Sequence, residues 1–456
     1  MGENSTIPNT DGVRNDIITA LKELKIPNLR WPEGCFADTY HWKDGIGPKE
    51  DRPSVVNRWW GGVTEDNSFG THDFLNLCEE LGAEPYLAAN VGSSTVQEFT
   101  EYIEYVMHPG PSPMAELRKQ NGREAPWKVK FLGVGNEMWG CGGNMTPEYY
   151  ANIYKQYATF MTDWSNSDGM FRIASGANVD DYHWTEVLMR DIPKSLIEGV
   201  ALHSYSFVEW NRKGSATDFD EAQYFSTLQT ALKMDELINK QTAIMEKYDP
   251  DNKIALIVDE WGGWYDVEEG TNPGFLYQQN TMRDAMIAGT SLNIFNNHAK
   301  RVKMANLAQT VNVLQAVILT EGEKMILTPT YHVLKMYNVH QDAQLIPVTF
   351  ESPEYTFNGE SLPAVSVSAS KNKNGEVHIS LVNIDLKQER SVNINVSGLG
   401  IKKISGTVLK SDKVQNHNTF DHPNNLEPVE FDNFKLKKGQ LEIKLAPYSV
   451  VVLEAK

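Results

Sequence analysis

Ile254-Ala-Leu-Ile-Val-Asp-Glu260-Trp-Gly-Gly-Trp-Tyr265 is a short apolar, β-branched run that stops on a carboxylate. A run of this length, closed by charge and glycine, reads as a strand buried on both faces, the habit of parallel sheets. Phe131-Leu-Gly-Val-Gly-Asn-Glu137-Met-Trp-Gly140 repeats the arrangement, with a polar residue, a Glu and then a Trp after the apolar stretch. Similar runs at 28–31, 84–90, 171–178, 199–205 and 301–309 join those at 130–137 and 253–260 to make seven predicted strands. Between them, residues 71–81, 97–107, 147–164, 222–248 and 275–293 carry apolar side chains at i, i+3, i+4 spacing and are expected to be crossover helices. Strand and helix in alternation predict a (β/α)₈ TIM barrel with one strand absent or unrecognised. An open doubly wound sheet is the competitor, but Arg30-Trp-Pro-Glu-Gly-Cys35 after the first strand has neither GxGxxG nor a P-loop.

Past residue 338 the period becomes two. Ala364-Val-Ser-Val-Ser-Ala-Ser370 and Glu376-Val-His-Ile-Ser-Leu-Val382 flank Lys373-Asn-Gly375, and Asn-Gly between alternating runs signals a hairpin. Further alternating runs at 392–396, 406–409, 441–445 and 449–453 predict an antiparallel β-sandwich. The expected domains are therefore 1–338, the barrel, and 339–456, a C-terminal jelly-roll-like sandwich.

The 456 residues are 41% apolar and carry a net charge of −18. Such a chain can bury a large core, and its acidic field disfavours nucleic acid as a partner. No stretch approaches a membrane span, and residues 1–11 show no secretory signal, so a cytoplasmic location is expected. Cys35, Cys78 and Cys141 are odd in number and lack metal-ligand spacing, so neither a disulfide framework nor a zinc site is expected.

Catalytic groups of a barrel stand at the C-terminal ends of its strands. Glu137 and Glu260 both occupy that position. Glycosidic cleavage needs such a pair, one acid for the departing oxygen and one carboxylate for the anomeric carbon. A single Glu there is more often a solvated loop residue or a helix N-cap neighbour; two in matching contexts favour the catalytic reading. Asn90, the triplet His203-Ser-Tyr205, and Gln309 with Asn312 end other strands and add polar groups on the same edge. His203 reads either as a buried prop for a neighbour or as a sugar contact, Tyr205 as a hydroxyl bonding the nucleophile. Arg30 reads as a permanent cation near a carboxylate. Tryptophans beside polar residues and glycine suit a carbohydrate cleft.

These residues resemble glycoside hydrolase family 51, the α-L-arabinofuranosidases. The likeness runs through Leu29-Arg-Trp-Pro32, Cys35-Phe-Ala-Asp-Thr-Tyr-His-Trp-Lys-Asp-Gly-Ile-Gly-Pro48, Trp60-Gly-Gly-Val-Thr-Glu-Asp-Asn-Ser-Phe-Gly70, Gly135-Asn-Glu-Met-Trp-Gly-Cys-Gly-Gly-Asn-Met-Thr-Pro147, Asp259-Glu-Trp261 and Ala308-Gln-Thr-Val-Asn312. The resemblance implies a barrel fused to a jelly-roll-like domain, no metal or other cofactor, and a homo-oligomer, often a hexamer. It also implies retaining, exo-acting release of terminal α-L-arabinofuranosyl groups from arabinoxylan, arabinan and their oligosaccharides. Glu137 then matches the acid/base and Glu260 the nucleophile. Cys35, Asn136, Tyr205, Trp264 and Gln309 match substrate contacts, with Asn136 at the sugar 2-hydroxyl. An endo-β-glucanase or xylosidase on the same scaffold, and a truncated sugar-binding relic without turnover, are the alternative readings. Two departures stand out. Glu33 replaces a glycine of the usual Arg-Trp/Tyr-Pro-Gly-Gly. The family's first strand, with a sugar-binding Glu at its end, has no counterpart here, so the barrel is expected to lack it and Met1 to be internal to a longer product.

Overall fold

Seven parallel strands form one barrel sheet in the computed structural model of the chain, which describes residues 5–32, 34–165 and 169–456. They are β1 (Asn28–Trp31), β2 (Glu84–Ala89), β3 (Phe131–Val134), β4 (Phe171–Asn178), β5 (Gly199–Ser206), β6 (Ala255–Gly263) and β7 (Val302–Leu307). Their order in space is their order in the chain. All nine residues of β6 are buried, as a strand covered on both faces requires. Between β4 and β5 the register slips from Ala174 to Ala177, a bulge that re-aims the end of β4.

Helices α1 (Asn15–Leu24), α2 (Thr71–Leu81), α3 (Val96–Met107), α4 (Pro113–Gln120), α5 (Pro147–Phe160), α6 (Tyr182–Asp191), α7 (Glu221–Tyr248), α8 (Met282–Asn297) and α9 (Pro329–Tyr337) accompany the strands. Four of them, α1, α4, α6 and α9, have no counterpart in the sequence reading. The helix expected over 275–293 starts seven residues later. Thr281 caps it, its hydroxyl accepting from Arg283 N–H at 3.2 Å while its own N–H donates to Asp284 at 2.7 Å. This capping box outweighs the apolar periodicity upstream. Among the described residues no helix is long and apolar enough to cross a membrane. Glu33 lies outside the described residues.

The chain divides into two compact units, Met1–His203 with Asn239–Asp259, and Ser204–Ile238 with Glu260–Lys456. Strands β5 and β6 pass from one to the other. Packing draws this boundary, whereas the change of period at 338 marks a change of strand type.

In the first unit, Tyr150 of α5 ties two strands together. Its hydroxyl donates to Val134 O at 2.6 Å and accepts from Ser175 N–H at 2.7 Å. Gly133 in β3 leaves room for Tyr86 of β2, since a Cβ there would stand 2.9 Å from the tyrosine ring and hydroxyl.

In the second unit, a six-stranded antiparallel sheet runs in the order β8 (Gln344–Ile346), β9 (Val365–Lys371), β10 (Val377–Asn383), β16 (Ser449–Ala455), β12 (Ile404–Leu409), β13 (Val429–Glu430). A three-stranded sheet orders as β11 (Arg390–Asn395), β15 (Gln440–Leu445), β14 (Phe434–Lys437). Lys371 pairs with Val377 across the Asn-Gly turn, as the motif predicts. Leu441, Ile443 and Leu445 of β15 are buried between exposed neighbours, so one face of the small sheet is covered. Helix α8 is buried nearly all round, and it meets the large sheet through Asn293, which donates to Ser366 at 2.9 Å and accepts from Ser368 at 2.8 Å.

His340 follows α9 with Nδ1 2.7 Å from Ser370 and Nε2 2.5 Å from Ser380, and its ring lies 6.3 Å from that of His378. Burial holds its pKa down at about 4. The unfolded chain therefore binds a proton near pH 6.5 that the folded chain refuses until about pH 4, so stability falls as pH drops through that window. His340→Gln should flatten this loss by about 3 kcal/mol, read from urea midpoints between pH 7 and pH 4. An acid limb identical to the parent's would show that His340 is not its source.

Candidate active site

Arg30, at the end of β1, is only 8% exposed. Its Nη2 donates to Asn136 Oδ1 at 2.7 Å, and its Nε lies 3.5 Å from Asp259 Oδ2. Tyr86 donates to the same Asp259 oxygen at 2.9 Å. A buried cation is costly unless compensated, and here one carboxylate and one amide oxygen do so. Asn136 and Asp259 are the residues immediately before Glu137 and Glu260. One guanidinium thus anchors the backbone on which each carboxylate stands.

Glu137 sits just past β3 with φ +45°, after Gly135 at +77°. A left-handed φ is costly for a residue with a Cβ and persists only where surroundings enforce it. They do so here, because Glu137 O accepts from Gly140 N–H at 2.8 Å and Gly142 N–H at 3.2 Å. The side chain is oriented by His203 of β5, whose Nδ1 lies 2.9 Å from Oε1. This is the contact that the prop reading of His203 requires. Asn136 is 1% exposed, and its Nδ2 has no hydrogen-bond partner among the described residues.

The cysteine expectation is corrected at this point. Cys35 and Cys141 are bonded, with Cα atoms 5.5 Å apart across 106 residues, while Cys78 is free and buried. Parity and spacing could not reveal a pair that only the fold of the two loops brings together. Cys35 thus meets the site as a disulfide sulfur, not a thiol. Cys141 Sγ lies 3.7 Å from Glu137 Oε2, a packing contact because a bonded sulfur has no hydrogen to donate. Cys35, Glu137 and Cys141 cluster closely enough to suggest a metal site, but joined sulfurs offer no thiolate.

Asp38, absent from the sequence reading, holds these loops together. Its Oδ1 accepts from Val91 N–H at 2.8 Å and Gly92 N–H at 2.9 Å, and its Oδ2 from Asn136 N–H at 2.8 Å. Burial raises its pKa to about 6, against the opposing pull of those three N–H groups and Arg30. Nothing in the sequence separates Asp38 from any other loop aspartate. Asn90 behaves differently from its expected role. Its Nδ2 donates to Tyr40 O and Ser93 Oγ, and its Oδ1 accepts from Ser93 and Ser94 N–H. The amide is engaged with its own loop and with the loop after β1.

In the second unit, Glu260 is 7% exposed and accepts from the Tyr205 hydroxyl at Oε2, 2.7 Å away. Tyr205 stands edge-on to Trp264, ring centroids 5.1 Å apart. Trp264 N–H donates to Ser206 O at 2.8 Å, which fixes the segment after the carboxylate against β5. Gln315, unnoticed in the sequence, is fully buried and accepts from Gly263 N–H at 2.6 Å while donating to Asp284 O and Thr330 Oγ1. Gln309 is half-buried just past β7. Asn312 is engaged with Thr320, donating to its hydroxyl at 2.9 Å and accepting from its N–H at 2.8 Å.

Residues 20–223 match the α-L-arabinofuranosidase 1 domain, and residues 259–449 the α-L-arabinofuranosidase C-terminal domain. The chain is 51% identical over its whole length to an intracellular exo-α-L-arabinofuranosidase of Bacteroides ovatus, covering 88% of that protein. The chain belongs to the α-L-arabinofuranosidases of glycoside hydrolase family 51. Among solved structures, the family 51 arabinofuranosidase of Xanthomonas axonopodis pv. citri superposes with a TM-score of 0.98 at 47% identity, over all of this chain and 92% of that one. The Thermotoga maritima α-L-arabinofuranosidase in its arabinose complex gives 0.86 at 30% identity, over 99% and 92%. As an arabinofuranosidase, the chain owes the placing of its Glu137 loop to Asp38. Asp38→Asn keeps one acceptor oxygen but turns an N–H donor on a backbone N–H. It should lower kcat on an aryl α-L-arabinofuranoside by roughly tenfold or more, with KM little changed and folding intact by circular dichroism. A kcat equal to the parent's would remove Asp38 from the positioning of Glu137.

Proposed function

We propose that this arabinofuranosidase releases terminal α-L-arabinofuranosyl groups from arabinan, arabinoxylan and their oligosaccharides with retention, using Glu137 as acid/base and Glu260 as nucleophile. The observation that carries the reading is Arg30, bound both to the residue before Glu137 and to the residue before Glu260. A single strand adds support. His203 and Tyr205 are two apart on β5 and so face the same side, and His203 addresses Glu137 while Tyr205 addresses Glu260.

In the first step the Glu137 carboxyl gives its proton to the glycosidic oxygen as a Glu260 oxygen bonds to the anomeric carbon, and the leaving alcohol departs. In the second step Glu137 takes a proton from water, whose oxygen displaces Glu260 and releases arabinose with its original configuration. Tyr205 fixes the rotation of the nucleophile. Asn136 Nδ2, buried and lacking a protein partner among the described residues, is the donor offered to the sugar 2-hydroxyl. Trp264 and Gln309 are assigned to the substrate side of Glu260. The intracellular setting named for the Bacteroides relative and a homo-oligomer, a hexamer by the family resemblance, complete the proposal; light scattering of the purified protein tests the oligomer.

Glu137→Ala should lower kcat/KM on arabinan by about 10²- to 10⁴-fold, yet by much less on an aryl arabinofuranoside whose leaving group needs no proton. Glu260→Ala should be inactive on both. Equal losses of Glu137→Ala on the two substrates would refute the acid assignment. Parent activity confined to an aryl β-xyloside or a soluble β-glucan would transfer the scaffold to another sugar.

A further inference from the structure

Trp210 is 55% exposed, an unusual placement for the side chain that gains most from burial. It is nevertheless held firmly. Its ring stands edge-on to Trp264 with centroids 5.5 Å apart, and edge-on to Phe207 at 5.5 Å. Lys213 Nζ lies 4.5 Å from the Trp210 ring centre and 5.0 Å from that of Trp264, and donates to Trp210 O at 2.8 Å. The loop carrying both residues is tied at its two ends, by Trp264 N–H to Ser206 O at 2.8 Å and by Asp266 N–H to Gly214 O at 2.9 Å. From below, the hydroxyls of Thr230 and Ser226 in α7 donate to Phe207 O and Val208 O, each at 3.1 Å.

The geometry points to Trp210 as a binding platform for the leaving-group sugar chain, a subsite one ring beyond Trp264; this rests on Glu260 being the nucleophile. Tyr205, Trp264 and Trp210 form a run of rings leading outward from Glu260, in steps of 5.1 and 5.5 Å. The terminal arabinofuranosyl group occupies the inner end, beside Tyr205. A ring two steps out is too remote for that group and is placed for a sugar on the far side of the scissile bond. The occupant is a neutral furanose or pyranose, because an exposed indole offers its π-face to sugar C–H bonds. Lys213 anchors the indole with its charge over the ring. Loop bracing matters for this role, since a platform ordered before binding costs the ligand no further loop entropy.

The test compares α-1,5-L-arabinotriose, which reaches the platform, with methyl α-L-arabinofuranoside, which has nothing to stack. Trp210→Ala should lose about tenfold in kcat/KM on arabinotriose, mainly through KM, and less than twofold on the methyl glycoside. Trp210→Phe should recover part of the arabinotriose loss and Trp210→Leu should not, which separates stacking from mere bulk. Equal losses on both substrates, no loss on either, or equal rescue by Phe and Leu would overturn the proposal. A change in oligomeric mass of Trp210→Ala by light scattering would also overturn it, making the indole a subunit contact. A parent protein inactive on both glycosides would instead strike at the arabinofuranosidase reading itself.

Discussion

A guanidinium removed from water must be answered on every side, and the answer given to Arg30 organises the catalytic end of the barrel. Asp259 supplies the charge, Asn136 an amide oxygen, and Tyr86 completes the carboxylate's coordination from β2. Removing one member strands the others in a dry interior, so the arrangement is held by a large penalty for breaking it rather than a large gain for making it. That asymmetry suits an active site. Each of the two carboxylates borrows rigidity from the residue before it, Asn136 before Glu137 and Asp259 before Glu260.

The loops above the strands are fixed by a second kind of constraint. Asp38 gathers three backbone N–H groups from the ends of β2 and β3, and the Cys35–Cys141 bond closes the loop after β1 onto the loop after β3. Between them, Glu137 keeps a left-handed backbone that a free loop would abandon. Strain at Glu137 is thus sustained by the neighbours that hold its loop, a usual division of labour at enzyme sites.

How much of this was legible in the sequence depended on whether the cause was local. The strand at 171–178 coincides with its predicted run, because a buried parallel strand writes itself into consecutive residues. The places of Glu137, Glu260, His203 and Tyr205 at or just past strand ends were legible because the runs that carry them are local in the sequence. Asp38, Gln315 and the disulfide were not, since their partners lie tens of residues away and no spacing rule connects them. The loop contacts of Asn90 and Asn312 were hidden for another reason. Both residues stand at strand ends, but asparagine there serves loop closure as readily as substrate. The start of α8 is written in Thr281 and Asp284, whose capping box overrides the apolar periodicity upstream.

The central claim is that Glu260 forms the bond to the sugar and that Glu137, held on the same buried arginine network, serves the second step. Rapid quenching of Glu137→Ala during turnover of an aryl α-L-arabinofuranoside, followed by peptide mass spectrometry, tests it most directly, because loss of the base should let the glycosyl-enzyme accumulate. The account predicts one added pentosyl group, located on Glu260. A pentosyl group on any other side chain, or no adduct together with inverted first-formed arabinose, would contradict it.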